Sequence, residues 1–319
     1  MKCRAFSVLT YFVSFLILVF LFFFFDASEA MAVVAQANVF FVVSAFLLAV
    51  FVLFLKAYRW HMLLLNSGYR LRVSYSCVSM FLGLFASALT PGKVGEPIRA
   101  YFLKRMTHDR MSGTVPLVVI ERVVDVVLLV LVSLAGPLVF MSWLEVAQMH
   151  LLEVFVLVVF VVLCIVFALL NKRVVFFVIG KVNAVFRQKI DPALFCLAVE
   201  RTKSGGFLWW LMLSTVVIWF FEGLVLYVSL LSVGVFLSLL FCFVVVSISF
   251  LVGAITFLPG GLGSLEAALI FLISLFGLDV NAVVAGVVVY RVLSYLVLVV
   301  LGVGSMPFLN RWSRAGRPE

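Results

Sequence analysis

From Phe6 to Phe25 the chain runs for 20 residues without a charged side chain, and long apolar runs recur to its end. A helix of about 20 apolar residues crosses the roughly 30 Å of hydrocarbon in a bilayer. Spans are drawn at 6–25, 33–55, 114–140, 150–170, 207–231 and 282–306, some carrying isolated charges. Apolar residues make up 66% of the chain and charged residues 12%, where a soluble domain has about 25% charged. One core cannot bury that excess, so lipid is the solvent for much of it. The expected fold is all-α: a polytopic helical membrane protein forming a single transmembrane domain over 1–319.

The charges set an orientation. Lys2 and Arg4 precede 6–25, and Ser28-Glu29-Ala30 resembles a cleavage site. The apolar run nevertheless exceeds the roughly 7–15 residues of a signal peptide, so it is read as an uncleaved first span. With the N-terminus cytoplasmic, Asp26 and Glu29 lie outside, and Lys56, Arg59, Arg70 and Arg72 lie in an inner segment, 56–72. The last span then leaves Arg311, Arg314 and Arg317 inside, as the positive-inside rule requires. All of the 23 Lys and Arg residues except Arg122 and Arg291 fall on the cytoplasmic side or at one hairpin tip. Segment 171–206 alternates basic and apolar residues. It reads as an interfacial helix facing lipid phosphates, or equally as a cytoplasmic connector. The net charge of +9 sits at the ends of apolar runs, which points to anionic headgroups and away from nucleic acid. Five scattered cysteines without a CxxC pair or a His cluster point to no metal site and no disulfide framework, and no cofactor is expected.

This orientation fails for one stretch unless 73–98 turns back within the membrane. Basic residues flank it on both sides, so a plain span would invert Arg99, Lys104, Arg105 and Arg110. A re-entrant hairpin breaking at Pro91-Gly92 keeps them inside. A second such element covers 235–277, with Pro259-Gly260-Gly261 at its break. The two match: Leu89-Thr90-Pro91-Gly92-Lys93-Val94-Gly95-Glu96 is followed by Arg122, and Leu258-Pro259-Gly260-Gly261-Leu262-Gly263-Ser264-Leu265-Glu266 is followed by Arg291. Each unit is an apolar helix, a PGxxG break, a Glu opening the next helix and an Arg in the following span. By the charge argument one enters from inside and the other from outside, an inverted repeat of broken helices of the kind used by transporters. Pro and Gly break the helix, and such a break must be buried in protein or line a wet cavity. The half-helix N-termini then present N–H groups suited to phosphate. The competing arrangement has both segments crossing as plain, kinked spans.

Charges at membrane depth cost about 2.5–3.5 kcal/mol each on insertion scales. The candidates are Glu96, Glu121, Arg122, Asp125, Glu222, Glu266 and Arg291. Glu121 and Asp125 share a helix face, Arg122 is spaced to pair with Asp125, and the hairpins bring Glu96 toward Arg122 and Glu266 toward Arg291. The arginines are candidate phosphate ligands, because the planar guanidinium matches phosphate geometry. The alternative is that these are ion pairs locking helices together. Glu222 reads as a lone acid and a candidate for proton coupling. Tyr101, Tyr290 and Tyr295 near these positions read as packing or interfacial residues.

The segments TPGKVGEPIRAYFLKR, ERVVDVVLL, LPGGLGSLEAALIFL and YRVLSYLV together resemble the lysylphosphatidylglycerol synthase transmembrane-region family, whose members are often labelled flippase-like. The resemblance covers most of 70–306. It implies a multi-pass protein of a bacterial or archaeal cytoplasmic membrane, handling phospholipids or polyprenyl-linked lipids. It further implies a core site formed by Pro91, Gly92, Gly95, Glu96, Arg99, Glu121, Arg122, Asp125, Pro259, Gly260, Gly263, Glu266 and Arg291. Synthases of the family carry an aminoacyl-transferase domain after the membrane region. The matched segments belong to the membrane region, so the resemblance implies the flippase-like half and not lysyl transfer.

The function expected is translocation of an anionic phospholipid or polyprenyl-phosphate-linked lipid, with membrane lipids as partners. The alternative is a non-catalytic membrane partner of a glycosyltransferase or lipid-modifying enzyme. An enzyme is disfavoured, since the outer loops are short and Ser264 has no His at membrane depth: His61, His108 and His150 all fall near span ends. A small-solute or ion transporter is a further class. Nothing in the sequence sets an oligomeric state.

Overall fold

In a computed structural model of the chain, residues 27–90, 95–107, 114–140, 200–202 and 206–314 are described. The spans drawn at 6–25 and 150–170, most of segment 171–206, and Pro91 and Gly92 lie outside them. Among the described residues every regular element is helical: α1 Ala27–Ala35, α2 Val39–Asn66, α3 Val73–Ala88, α4 Ile98–Thr107, α5 Val115–Phe140, α6 Phe207–Ser232, α7 Leu239–Ile255, a 3-10 turn Pro259–Gly261, α8 Ser264–Ser274 and α9 Val280–Arg314.

The helices are apolar on both sides, and on the first half of α2 the side that faces in is marked by alanines. On α2 the exposed residues Phe40, Val43, Leu47, Phe51, Phe54 and Tyr58 recur every three or four positions, while Ala45, Ala49 and Ala57 are buried. Small residues at a helix interface let backbones approach closely, where in lipid no hydrophobic gradient drives association. On α6, Trp209, Leu213 and Phe220 are exposed and Leu211, Ile218 and Leu226 are buried. Gly223 of α6 lies so close to α7 that an added Cβ would stand 2.7 Å from the Phe243 Cα, and a Cβ added to Gly286 of α9 would stand 2.6 Å from the Leu230 side chain of α6. An exposed apolar surface of this extent requires lipid around it. Helices α2, α6 and, over Val280–Phe308, α9 are long and apolar enough to cross a membrane. Helix α5 has the length, 26 residues, and also carries Glu121, Arg122 and Asp125.

The span drawn at 33–55 is corrected by the structure. Helix α1 ends at Ala35, and a new helix starts at Asn38, whose side chain accepts the Phe40 N–H at 3.0 Å. It then runs unbroken to Asn66, eleven residues beyond the boundary drawn at 55. Lys56 and Arg59, assigned above to an inner segment, lie within this helix, and Arg59 is 1% exposed. The end of α2 is capped from the distant chain: the Arg201 guanidinium donates to the Ser67 carbonyl at 2.6 Å, a cation placed where the helix dipole is negative.

The two Pro-Gly regions fold as short helix pairs. Helix α3 has 16 residues, α7 has 17 and α8 has 11, or about 24, 26 and 17 Å, each less than the roughly 30 Å of hydrocarbon. At the first break, the Gly95 N–H donates to the Thr90 hydroxyl at 2.7 Å. At the second, Gly260 takes a left-handed φ of 59°, where a side chain is strained. A Cβ there would also collide with the Tyr295 hydroxyl and stand 3.1 Å from the Ala88 carbonyl. Ala88 closes α3, so the second break packs against the C-terminal end of α3.

Candidate functional site

A cavity of about 140 Å³ lies beside the contact of Gly260 with Ala88, lined from α2, α3, α5, α6, α7, α9 and both break regions. Cavities that hold a water need at least 10–15 Å³, so this one has room for several waters or a small headgroup. Its polar lining is Lys56, Arg59, Glu96, Arg122, Asp125, Glu222, Tyr290, Arg291 and Tyr295, with Ser87 and Ser294.

Three sets of ion pairs build these walls. The first centres on α5. Glu121 and Asp125 stand one turn apart and both reach Arg59 of α2. The Arg59 guanidinium donates to Glu121 Oε1 at 2.8 and 3.1 Å, to Asp125 Oδ1 at 2.6 Å and to Thr215 at 2.8 Å. The other Glu121 oxygen pairs with Arg99, whose guanidinium lies 4.1 Å over the Trp60 ring and donates to the Met80 sulfur. Arg122 faces the cavity, with its Nε 2.6 Å from Glu96 and its Nη1 3.2 Å from Asp125. The Trp219 indole N–H donates to Asp125 at 3.3 Å.

The second set joins the second break to α9. Glu266 folds back to accept the Gly263 N–H at 2.7 Å and takes the Arg291 Nε at 2.5 Å. Arg291 lies 4.7 Å over the Tyr295 ring, and the Tyr295 hydroxyl donates to the Gly260 carbonyl at 3.1 Å. A carboxylate of the chain itself therefore sits at the N-terminus of α8, where a helix dipole favours negative charge. At the two breaks the Gly95 N–H is given to Thr90 and the Gly263 N–H to Glu266.

The third set was absent from the sequence reading. Lys56 Nζ lies 2.8 Å from Glu222 Oε2, and the Tyr290 hydroxyl donates to the other oxygen at 3.1 Å. Glu222 is not a lone acid.

Of the residues picked from the sequence, Glu96, Arg122, Asp125, Glu222, Gly260 and Arg291 line the cavity. Arg99 and Glu121, exposed 2% and 0%, stand one layer behind and hold the front residues. Glu266 and Gly263 back Arg291, while Gly95 and Pro259 shape the chain at the breaks. Tyr101 is exposed and away from the site. Tyr290 and Tyr295, expected to be packing residues, contribute polar contacts. Missed altogether were Lys56, Arg59 and Trp219. Their signal is a register: Ala45, Ala49, Val52, Lys56 and Arg59 follow one another by four, three, four and three residues, one face of a helix, so the buried stripe of α2 continues into its two cations.

Counted over the described residues, these sets hold five cations, Lys56, Arg59, Arg99, Arg122 and Arg291, against five carboxylates, Glu96, Glu121, Asp125, Glu222 and Glu266. Among the described residues the cluster carries no net charge, and every cation in it is paired.

An all-helical membrane protein with a charge-balanced cavity between two broken helices is the class that this fold and site define. The chain belongs to the lysylphosphatidylglycerol synthase TM region family, which matches it over residues 7–302. Among its relatives is UPF0104 membrane protein MJ1078 of Methanocaldococcus jannaschii, 30% identical over 222 residues, covering 69% of this chain and 92% of the relative. Another, UPF0104 membrane protein MJ1595 of the same organism, is 22% identical over 322 residues, covering 96% and 95%.

Proposed function

We propose that this protein translocates a lipid with an anionic headgroup, a phospholipid or a polyprenyl-phosphate-linked lipid, across a bacterial or archaeal cytoplasmic membrane, without catalysing a covalent step. The observation that carries this reading is the cavity itself: four cationic side chains, Lys56, Arg59, Arg122 and Arg291, line one space bounded by both helix breaks. Family membership gives a membrane, lipid-related context. In this reading a phosphate visits Arg122 from one side of the membrane and Arg291 from the other. The two guanidiniums are held by Glu96 and Glu266 on opposite hairpins, and both termini are cytoplasmic.

The test is reconstitution into liposomes containing a fluorescent phosphatidylglycerol, with headgroup accessibility to an external quencher as the readout. Wild type is expected to expose the inner-leaflet probe faster than protein-free vesicles. Arg122→Ala and Arg291→Ala are each expected to slow it at least tenfold. Rates in both variants equal to wild type would remove the phosphate-binding role. Lipid movement that appears only when a glycosyltransferase or lipid-modifying enzyme is added would move the reading to a partner subunit.

A further inference from the structure

Resting on the reading that the cavity takes an anionic headgroup, the charge balance carries a consequence for how that headgroup is admitted. A phosphodiester brings one negative charge into a buried cluster whose described charges already balance. An uncompensated charge in such a place is costly, so a counter-charge has to enter or a carboxylate has to lose its own.

The carboxylates differ in how they are held. Glu121 is gripped by two arginines at 0% exposure. Asp125 takes Arg59, Arg122 and the Trp219 N–H. Glu96 and Glu266 each take a guanidinium, with Ser87 or the Gly263 N–H on the other oxygen. Glu222 alone among the five is paired with a lysine. An ammonium on a four-carbon stem is a single mobile point charge, without the forked grip that fixes an arginine. Lys56 lines the cavity and lies 5.7 Å from the centre of the Trp219 ring, a surface along which its stem can move.

We infer that the anionic headgroup displaces Glu222 from Lys56 and that Glu222 takes up one proton from water as it is released, so that the anion enters together with a proton. The balance closes: the phosphodiester anion gains the ammonium, the carboxylate becomes the neutral acid, and the cluster stays at zero charge. Neutral Glu222 keeps the Tyr290 hydroxyl on Oε1. The charged and titratable groups that line the cavity with it are Lys56 and Arg59 from α2, Glu96 after the first break, Arg122 and Asp125 from α5, and Tyr290, Arg291 and Tyr295 from α9; α7 faces the cavity with Phe250 and carries Cys242, buried elsewhere in the core. None of these other acids is freed when Lys56 moves.

The experiment is titration calorimetry of the full chain in detergent with dihexanoyl phosphatidylglycerol, near neutral pH, in two buffers of different ionisation enthalpy. The difference between the two heats counts protons. Wild type is expected to take up about one proton per lipid bound. Glu222→Gln, a neutral isostere, is expected to take up none and to bind more tightly, because Lys56 starts unpaired. Lys56→Gln is expected to bind roughly ten- to a hundredfold more weakly, the loss of a charge-assisted contact. Binding by wild type with no proton uptake overturns the exchange and leaves the anionic-lipid reading standing. A full count in Glu222→Gln overturns the assignment to Glu222. Equal affinity for acyl-free glycerophosphoglycerol, with the same count, retains the exchange and sinks the lipid reading. No binding of either probe by wild type overturns both. The wild-type count needs no variant to fold.

Discussion

Arg59 and Arg122 share Asp125, yet they do different work. Arg59 is sealed, 2% exposed at its side chain, and spans two carboxylates of α5, whereas Arg122 is 30% exposed toward the cavity. Removing one partner of a buried ion pair leaves an unpaired charge and costs about 3–5 kcal/mol. Arg59→Met is therefore expected to lower the thermal midpoint in detergent far more than Arg122→Ala does. Arg59→Met removes contacts to three groups in a sealed site, Glu121, Asp125 and Thr215, whereas Arg122→Ala takes the cation only from Glu96, which keeps Ser87, while Asp125 keeps Arg59. A larger drop for Arg122→Ala would reverse the two roles. This division could not be read from the chain. The pairs Glu96–Arg122 and Glu266–Arg291 were legible, because each acid follows a Pro-Gly break at matched spacing and each Arg interrupts an apolar span. Lys56 and Arg59 follow 26 residues without a charge, 30–55, which is what a cytoplasmic flank looks like. Only the carboxylates of α5, brought alongside by packing, make a buried site of it.

At the scale of elements, the second break is a locked joint rather than a loose one. Gly260 holds a left-handed φ, its carbonyl is held by Tyr295, and its Cα faces the Ala88 carbonyl of the first helix pair. Gly277, between α8 and α9, has a similar φ of 67° with open space around it. The left-handed conformation alone costs a side chain about 1–2 kcal/mol. Gly277→Ala should lose about that much stability, and Gly260→Ala should lose more, because its methyl group also meets the Tyr295 hydroxyl. Thermal unfolding of the two variants side by side measures the difference, and equal losses would mean the joint has slack. Both breaks were visible in the sequence, since Pro and Gly act on the backbone locally. The end of α2 was not visible, because a helix that buries charges against a partner has no local signal to stop at the edge of its apolar run. The new start at Asn38 depends on one cap residue in a stretch of uniform hydropathy.

For the whole molecule, the open choice between re-entrant and crossing Pro-Gly segments is a question of which water each flank meets. Hydropathy alone cannot decide it, since α3, α7 and α8 are apolar whichever way they run. Charge can, because basic residues stand on both sides of the first segment. If α3 dips and returns, cysteines placed at Arg72 and Thr107 are labelled from the same face of the membrane, and those at Phe236 and Asp279 both from the opposite face. If the segments cross, the members of each pair separate. The experiment uses intact cells and an impermeant maleimide, on a chain whose five native cysteines are replaced by serine. The re-entrant arrangement predicts that Phe236→Cys and Asp279→Cys react from outside, while Arg72→Cys and Thr107→Cys react only after the cells are opened. Labelling that splits either pair removes the corresponding hairpin, and with it the inverted symmetry that gives Arg122 and Arg291 access from opposite sides.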